Sequence, residues 1–178
     1  MASFPEIQVI AIGQLSSGAL ASLTQMDAAT AEMLSGHFAG IDPWARIGMG
    51  AERLRSLFTS VSETARCHCL RVNGQVAGAI VTRDAWLAGS YLPILAVLPQ
   101  YQGQGVGFAA LGWFEQDARG KGARNLWLTA ATFNSRAIAT YERFGFIRAG
   151  LLEGLLAEGC DEVLLRKVLS PAPKPLVV

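Results

Sequence analysis

A glycine-rich turn between an apolar run and a helical pattern is the feature that most limits the fold of this chain. The turn is Gln102-Gly103-Gln104-Gly105-Val106-Gly107; it follows the apolar run Ile94 to Leu98 and precedes a helical pattern from Phe108 to Arg119. Glycines adopt positive φ readily, so such a turn can point several N–H groups into one concavity, and the next helix adds the positive end of its dipole. The segment predicts a strand, a turn and a helix N-terminus that together bind an anion, by default a phosphate.

Two well-known phosphate loops do not fit this turn. A Walker loop needs Gly-Lys-Ser/Thr at its end, and a dinucleotide fingerprint needs G-x-G-x-x-G. Here the spacing is G-x-G-x-G, Phe108 follows, and no lysine occurs before Lys121. What the turn does match is the Gln/Arg-x-x-Gly-x-Gly/Ala pattern of the Gcn5-related N-acetyltransferase (GNAT) superfamily, with Gln102, Gly105 and Gly107 at the defining positions. The chain resembles that superfamily.

A second motif follows in the order and at the distance that the superfamily shows. The segment Asn134 to Phe146 is similar to its N-x(6)-Y-x-x-x-G-F helix. Asn134 and Tyr141 are seven residues apart, so at about 100° per residue they lie within about 20° of one face. Gly145 fits a helix C-cap before a new strand at Phe146, and the run Asn125 to Ala130 before the helix is typical of a strand. Both polar side chains are predicted to face a ligand that lies along this helix.

The resemblance implies a mixed, mostly antiparallel sheet of six or seven strands, with a central V-shaped splay and helices on both faces. It covers Cys67 to Val168 well and the first 65 residues only in general layout. The apolar strand Leu92 to Leu98 contains Pro93, which lacks a ladder donor and belongs at a strand start, an edge or a bulge. In the family this strand splays from its neighbour, here Leu126 to Ala130, and the slot between them holds the pantetheine arm.

Acetyl-CoA is the cosubstrate that the resemblance implies, and no metal is expected. The positions expected to bind it are Leu95, Ala96, Val97, Gln102, Gly103, Gln104, Gly105, Val106, Gly107, Phe108, Asn134 and Ala137. Tyr141 is the candidate acid that protonates the departing thiolate, and its alternative role is an amphipathic core aromatic. Asn134 could instead be a helix N-cap, and the two roles can coexist.

The general base is left unassigned by the sequence. Several better-studied members of the superfamily carry a glutamate on one of the two central strands, but no Asp or Glu occurs from Ala85 to Phe114 or from Gly120 to Thr140. A water chain ending on a backbone carbonyl, or a carboxylate such as Asp42, Asp84 or Glu153, could serve. An acceptor with a low amine pKa could also react without a base.

The acceptor is predicted to be a small-molecule or peptide amine, without further identification. The resemblance places its groove along residues 37–53 and 151–162. Trp44 and Asp42 could form a wall and an amine anchor, or Trp44 could plug the core after the proline corner. No dense acidic cluster favours a polyamine or an aminoglycoside.

Three functions fit these motifs. The first is an acetyl-CoA-dependent N-acetyltransferase, the second an acyl-CoA-binding module or sensor with little or no turnover, and the third another nucleotide-binding domain whose glycines are only corners. Amine-dependent release of CoA separates the first from the second. Binding of acetyl-CoA separates both from the third.

Composition sets the remaining limits. The 178 residues are 51% apolar and 16% charged, which argues against disorder and predicts one domain, 1–170, with a Pro-rich tail, 171–178. With 15 basic and 14 acidic residues there is no global field to recruit nucleic acid or a membrane. The chain lacks a signal-peptide pattern and a run long enough to span a bilayer, so a cytoplasmic protein is predicted. The resemblance also allows a homodimer, for which no interface is evident.

The cysteines do not predict a metal site. Cys67 and Cys69 of the Cys67-His68-Cys69 run would share one strand face while His68 points to the other, and no second ligand pair occurs at zinc spacing. These cysteines are predicted to pack in the core. Cys160 makes the count odd, which favours reduced thiols.

The first half of the chain gives weaker signals. Ile7 to Ile12 is predicted as a strand, and a helix is predicted to start at Ser16 or Ser17 with apolar positions at Leu20, Leu23, Ala31, Leu34 and Phe38. A second helix is predicted from Ala51 to Phe58. Asn73-Gly74 is a strong type I′ signal, so residues 67–81 are predicted to form a hairpin.

Overall fold

The computed structural model describes residues 8–169, which form eight strands and four α-helices. The strands are β1 Val9–Gln14, β2 Leu20–Gln25, β3 Ala65–Val72, β4 Gln75–Trp86, β5 Gly89–Val97, β6 Asn125–Ala131, β7 Ile147–Ala157 and β8 Cys160–Val168. The helices are α1 Ala28–Ala39, α2 Ala51–Thr59, α3 Val106–Gly120 and α4 Ser135–Phe144. No helix within residues 8–169 is long and apolar enough to cross a membrane.

All eight strands of the described residues join one sheet, in the order β1-β2-β3-β4-β5-β6-β8-β7. The central pair β5–β6 is parallel, and its neighbours on both sides pair antiparallel. The prediction of a mixed, mostly antiparallel sheet is therefore confirmed. The hairpin predicted around Asn73-Gly74 is also confirmed, since β3 and β4 pair from Val72–Gln75 outward.

Helices cover both faces of the sheet, as predicted. On one face α1 and α2 bury Phe38, Leu54 and Phe58 against β4 and the far half of β5. On the other face α3 and α4 bury Phe114 and Ile138 against a cluster that includes β6 and β8. The two cores meet through the sheet, so a gap between two central strands opens a path from one face to the other.

One element of the predicted fold was wrong. Leu20–Gln25 is strand β2 rather than the start of a helix, and Ser16-Ser17-Gly18 belongs to the connection from β1, with Gly18 at φ +85°. The helix begins later, where the Asp27 carboxylate caps it by accepting a hydrogen bond from the Thr30 N–H at 2.8 Å. This additional strand makes the sheet eight-stranded instead of six- or seven-stranded.

The other predicted elements agree with the structure to within a few residues. The helix predicted from Ala51 to Phe58 is α2, the helix of the second motif is α4, and Gly145 forms its C-cap at φ +101°. Ile7 and the predicted tail 171–178 lie outside the described residues.

Candidate functional site at the junction of two cavities

The slot begins at a β-bulge around Pro93. On β4 Val81 and Arg83 are two residues apart, but their partners Ile94 and Tyr91 on β5 are three residues apart, so β5 carries one extra residue. The bulge turns Leu92 toward the α3–α4 core and Ile94 toward the α1–α2 core. Pairing of β5 with β6 ends at Leu92, whereas β5 continues to Val97. The predicted splay is therefore confirmed, and its start coincides with the residue that lacks an N–H.

Past the bulge, Leu95 and Val97 turn their peptide groups toward the slot. The Leu98 N–H bonds the Ala77 carbonyl of β4 at 2.8 Å, and peptide groups alternate in direction along a strand. Leu95 and Val97 also line a cavity of about 640 Å³ on this side. Ala96 does not line the cavity, because its backbone faces β4 and its side chain is buried in the α1–α2 core.

The glycine turn closes one end of this first cavity. Gly103 and Gly105 have φ of +77° and +90°, and α3 starts directly after them with no side-chain cap. The first bond of α3 runs from the Ala109 N–H to the Gly105 carbonyl at 2.9 Å, so the N–H groups of residues 106–108 have no partner within the helix. The turn thus presents to the cavity a positive helix end and N–H groups that have no hydrogen-bond acceptor among residues 8–169.

Gln102 fixes the turn to its neighbours. Its amide Nε2 donates to the Val97 carbonyl at 2.9 Å, and its Oε1 accepts from Arg136 Nη1 at 3.0 Å. Gln104 does not line the cavity, and its Nε2 donates to the Gln100 carbonyl at 2.7 Å. Gln102 therefore stabilises the conformation of the turn and also lines the cavity. Gln104 stabilises the turn from the side that faces away from the cavity.

Two arginines on α4 add positive charge to the first cavity. Arg136 and Arg143 both line it, and the Arg143 guanidinium lies 5.7 Å from the centroid of the Phe108 ring. Sequence reasoning missed both residues. The signal was present, because seven residues separate them and so they share one face of α4, as Asn134 and Tyr141 do.

Asn134 and Tyr141 lie where predicted, on the side of α4 that faces the slot. The Asn134 side-chain oxygen caps α4 by accepting from the Ala137 N–H at 3.2 Å, so its N-cap role is confirmed. The Tyr141 ring packs edge-on against Phe146 at 6.1 Å between centroids. Its hydroxyl has no hydrogen-bond partner within residues 8–169, which leaves it available to a ligand.

A second cavity of about 340 Å³ lies on the other side of the slot. The two cavities share the lining residues Pro43, Trp44, Leu95, Asn134, Ala137 and Tyr141. Trp44 also packs against Phe38 with 5.0 Å between ring centroids, so it forms a wall and contributes to the core at once. A molecule in the first cavity and a molecule in the second can therefore meet at Tyr141.

The second cavity contains a carboxylate that sequence reasoning did not identify as a base. Glu162 of β8 is only 3% exposed and lines this cavity together with Tyr141. Burial raises the pKa of Glu162, and the neighbouring Thr129 hydroxyl partly offsets this rise by favouring the charged form. Burial, with the nearby Glu162 and Tyr91, raises the pKa of Tyr141 to about 12. The site thus pairs a poorly solvated carboxylate with a phenol that keeps its proton.

The carboxylates suggested from the sequence are placed elsewhere. Asp84 lies in ion pairs with Arg66 at 3.2 Å and with Lys121 at 2.9 Å. Asp42 lines only the first cavity, and Glu153 lines neither. The sequence did not indicate Glu162 because a base was expected on the two central strands, β5 and β6. Glu162 lies instead on β8, the strand that pairs with β6 on the side opposite β5. The available signal was an acidic residue next to the apolar run Val163-Leu164-Leu165.

The second cavity lies partly where the resemblance predicted the acceptor groove. From the two predicted ranges, the residues that line this cavity are Pro43, Trp44, Ile47, Met49, Arg53, Leu156 and Glu162. The opposite wall consists of Arg83, Trp86 and Tyr91 on β4 and β5, which sequence reasoning did not anticipate. The hairpin between these strands is therefore part of the site.

The Cys67-His68-Cys69 run packs within the fold. Cys67 is buried against the α1–α2 core, and burial raises the pKa of its thiol to about 12, so the metal-binding thiolate is disfavoured. On the opposite face His68 packs edge-on against Trp113 at 5.0 Å between ring centroids. No group of three or more His, Cys, Asp or Glu within residues 8–169 is arranged to hold a metal ion.

Comparison with known proteins decides the family. The sequence model of the acetyltransferase (GNAT) family matches residues 35–146, a span that contains the glycine turn and the Asn134–Tyr141 helix. The chain belongs to this GNAT family. Its bulged strand, splay and glycine turn are thus the GNAT features that the sequence resemblance predicted.

Two curated acetyltransferases are similar to parts of the chain. Streptothricin acetyltransferase of Streptomyces lavendulae is 34% identical over 92 residues, which are 49% of this chain and 49% of that protein. The [ribosomal protein bS18]-alanine N-acetyltransferase of Escherichia coli (strain K12) is 38% identical over 80 residues, or 45% of this chain and 53% of that protein. The chain therefore matches about half the length of these relatives.

The fold extends further than the sequence similarity. The crystal structure of the ribosomal-protein-S18-alanine N-acetyltransferase from Escherichia coli superposes with a TM-score of 0.67, covering 89% of this chain and 99% of that one at 24% identity. At this identity the likeness concerns the GNAT fold and not the acceptor.

Proposed function

We propose that this protein transfers an acetyl group from acetyl-CoA to a primary amine, by direct attack of the amine on the thioester. The observation that carries the proposal is the meeting of two cavities at Tyr141, one ending in an anion-binding turn and the other containing a buried carboxylate. Family membership and relatives named as acetyltransferases support the same reaction.

The first cavity fits the cosubstrate by charge and by shape. Unpaired N–H groups of the turn and of the α3 N-terminus would hold the pyrophosphate, with Arg136 and Arg143 as the nearby cations. Leu95 and Val97 would hydrogen-bond the extended arm through their backbones, while Asn134 and Ala137 line its path. Its volume of about 640 Å³ lies within the range of ligand pockets.

The second cavity would bring the amine to the thioester. Glu162 would take the proton that the amine loses as its nitrogen bonds to the carbonyl carbon, and a slot-facing N–H of β5 would stabilise the oxyanion. Tyr141 would donate its proton to the thiolate when the C–S bond breaks. The thiolate leaves into the same buried region, so burial raises its basicity as well. One proton passing from Glu162 to Tyr141 then restores the starting state.

Two measurements on the purified full chain test this function. Calorimetric titration with acetyl-CoA, with free CoA, NAD and ATP as controls, is expected to show micromolar binding of the two CoA species alone. A panel of amines, with free thiol as the readout, is then expected to show amine-dependent release of CoA. Binding without release from any amine would instead support an acyl-CoA-binding module or sensor. No binding would mean that the glycine turn is only a corner.

Several sequence predictions remain proposals. We propose that residues 1–170 form a single acetyltransferase domain followed by the Pro-rich tail 171–178, and that the protein is cytoplasmic. The acceptor is proposed to be a small-molecule or peptide amine, and neither nucleic acid nor a membrane is proposed as a partner. A homodimer stays a prediction.

A further inference from the structure

The second cavity has a charge pattern that acetyl transfer alone does not require. Glu162 is the acidic residue of its lining, and the cations of its lining are Arg53 from α2 and Arg83 from β4, both with exposed side chains. Neither arginine has an ion pair or a side-chain hydrogen bond with any residue in 8–169. By contrast, Arg55 pairs with Glu32 and Arg66 with Asp117. The second cavity thus has two cations at its lining that are not neutralised by an ion pair with any residue in 8–169.

Polar side chains connect the two charged ends across four adjacent strands. Arg83 of β4 is the register partner of Tyr91 on β5, and the Tyr91 hydroxyl lies 3.2 Å from the Thr129 hydroxyl of β6. Thr129 in turn neighbours Glu162 of β8. Three strand spacings separate the β4 and β8 backbones by about 14 Å. A bound molecule that reaches both ends must carry its two charges several bonds apart.

The hairpin that carries Arg83 has an unusual backbone. Ala85, Leu87 and Ala88 have φ of +57°, +42° and +55°, a region that residues with a Cβ seldom adopt. This turn places the Trp86 ring 5.2 Å from the Tyr91 ring, where it lines the cavity while remaining 44% exposed. Strained turns of this kind persist where the surrounding structure fixes them and are frequent at binding sites. The hairpin thus forms an exposed rim of the second cavity.

We propose that the acceptor is a primary amine that carries an anionic group several bonds from its nitrogen. This inference rests on the proposed acetyl transfer. The amine lies at Glu162 and Tyr141, and the carboxylate or phosphate reaches Arg83 and Arg53, for which arginine provides bidentate hydrogen bonding. A polycationic acceptor would bring its positive charges next to both arginines. Small amino acids with separated charges and the N-terminus of an acidic peptide share this chemistry.

Kinetics with two matched series of acceptors test the proposal. The peptide series is Ala-Ala-Asp-amide, Ala-Ala-Asn-amide and Ala-Ala-Lys-amide; the small-molecule series is 6-aminohexanoate, 6-aminohexanamide and 1,6-diaminohexane. Within a series the amine is held nearly constant while the distal charge changes. In at least one series kcat/KM for the anionic member is expected to exceed that of the neutral member about 10-fold, and to exceed the cationic member by more. The series with the larger ratio identifies the source.

Variants of Arg83 show whether the preference arises in this cavity. Arg83→Gln is expected to reduce the anionic-to-neutral ratio of kcat/KM to about one third of its original value or less, whereas Arg83→Lys keeps most of it because the charge remains. Added NaCl should reduce the ratio as well, since the rim is exposed. Acetyl-CoA binding, which uses the other cavity, verifies that both variants are folded.

The outcomes separate this inference from the function on which it rests. Turnover of neutral or cationic members with kcat/KM equal to or above that of the anionic members would leave acetyl transfer standing and overturn the acceptor class. A preference for anions that Arg83→Gln and the double variant Arg53→Gln/Arg83→Gln both retain would also overturn it. Acetyl-CoA binding with no CoA release from any of the six amines would contradict the proposed function itself, and the inference with it.

Discussion

We propose that Tyr141 gives up its proton only at the moment of reaction. Burial and the nearby Glu162 and Tyr91 raise its pKa to about 12, so it remains protonated throughout the neutral range. We expect Tyr141→Phe to lower kcat about 100-fold or more, the range usual for loss of a general acid, with little change in the Kd for acetyl-CoA. The reason is that the ring still fills the junction of the cavities while the proton is absent.

Tyr91→Phe is the matched comparison for this variant. Its hydroxyl lies against Thr129 instead of standing free at the junction, so the loss of turnover is expected to be less than 10-fold. Stopped assays of CoA release at saturating acetyl-CoA give both values. Equal turnover in Tyr141→Phe and the unaltered protein would remove Tyr141 from the mechanism.

The side chains of the site differ in how readily their positions can be predicted from the sequence. Asn134 and Tyr141 belong to one helix and one motif, so their spacing alone places them on one face. Glu162 is 21 residues further on and enters the site only because β8 lies next to β6. Its role depends on burial and on strand order, and neither property can be predicted from the residues next to it in the sequence.

The turn that begins α3 provides a test on a single element. Gly105 has φ +90°, and a Cβ there would meet Leu15 Cδ2 at 3.8 Å, so space is available but the left-handed backbone is strained for alanine. We expect Gly105→Ala to lower the free energy of unfolding by about 1–2 kcal/mol and to weaken acetyl-CoA binding, because the N–H groups of the turn shift. Urea denaturation and calorimetry measure the two effects.

Gly112→Ala in the same helix is the control for this change. Gly112 lies in the interior of α3, and a Cβ there meets nothing within 4 Å. Alanine is the better helix former, so this variant is expected to gain about 0.5–1 kcal/mol with acetyl-CoA binding unaltered. If Gly105→Ala bound acetyl-CoA as tightly as Gly112→Ala does, the turn would not be the anion site.

The elements that were predicted correctly are those whose conformation is determined by residues close together in the sequence. Gly145 ends α4, and Asn73-Gly74 sets the β3–β4 hairpin, because each conformation depends on one or two residues. The prediction for β2 was wrong because Leu20 and Leu23 continue the helical spacing of α1. The strand is formed by pairing with β3, whose residues are 43 or more positions away in the sequence. Asp27, a typical N-cap residue, was the local signal that predicts a later start for this helix.

The molecule as a whole assembles the site from parts that are far apart in the chain. The first cavity depends mainly on the two motifs of the central region, and it was therefore largely predictable. The second cavity joins α2, the β4–β5 hairpin, β6 and β8, so its wall of Arg83, Trp86 and Tyr91 requires the tertiary fold. The cavity proposed for the cosubstrate could thus be predicted from motifs, whereas the cavity proposed for the acceptor requires the assembled structure.

Glu162 should make the free energy of unfolding of the whole molecule depend on pH. Burial raises the pKa of this carboxyl in the folded protein, so the native state keeps the proton to higher pH than the unfolded chain. Its contribution to stability is therefore full below the unfolded pKa and is lost as the pH rises through the folded pKa. Because glutamine does not titrate, we expect Glu162→Gln to become progressively more stable relative to the unaltered protein as the pH rises above about 4.3, the usual pKa of a glutamate in an unfolded chain.

Urea denaturation of both proteins at several pH values measures this difference, and Glu153→Gln, an exposed site on β7, is the control in which we expect little variation with pH. The same Glu162→Gln variant should lose about 100-fold in turnover, since the amine no longer has a base. A stability difference that stays constant with pH would contradict the buried, poorly solvated carboxylate. Gain of stability with loss of turnover in one substitution would show that the fold tolerates a costly buried carboxylate because the reaction uses it.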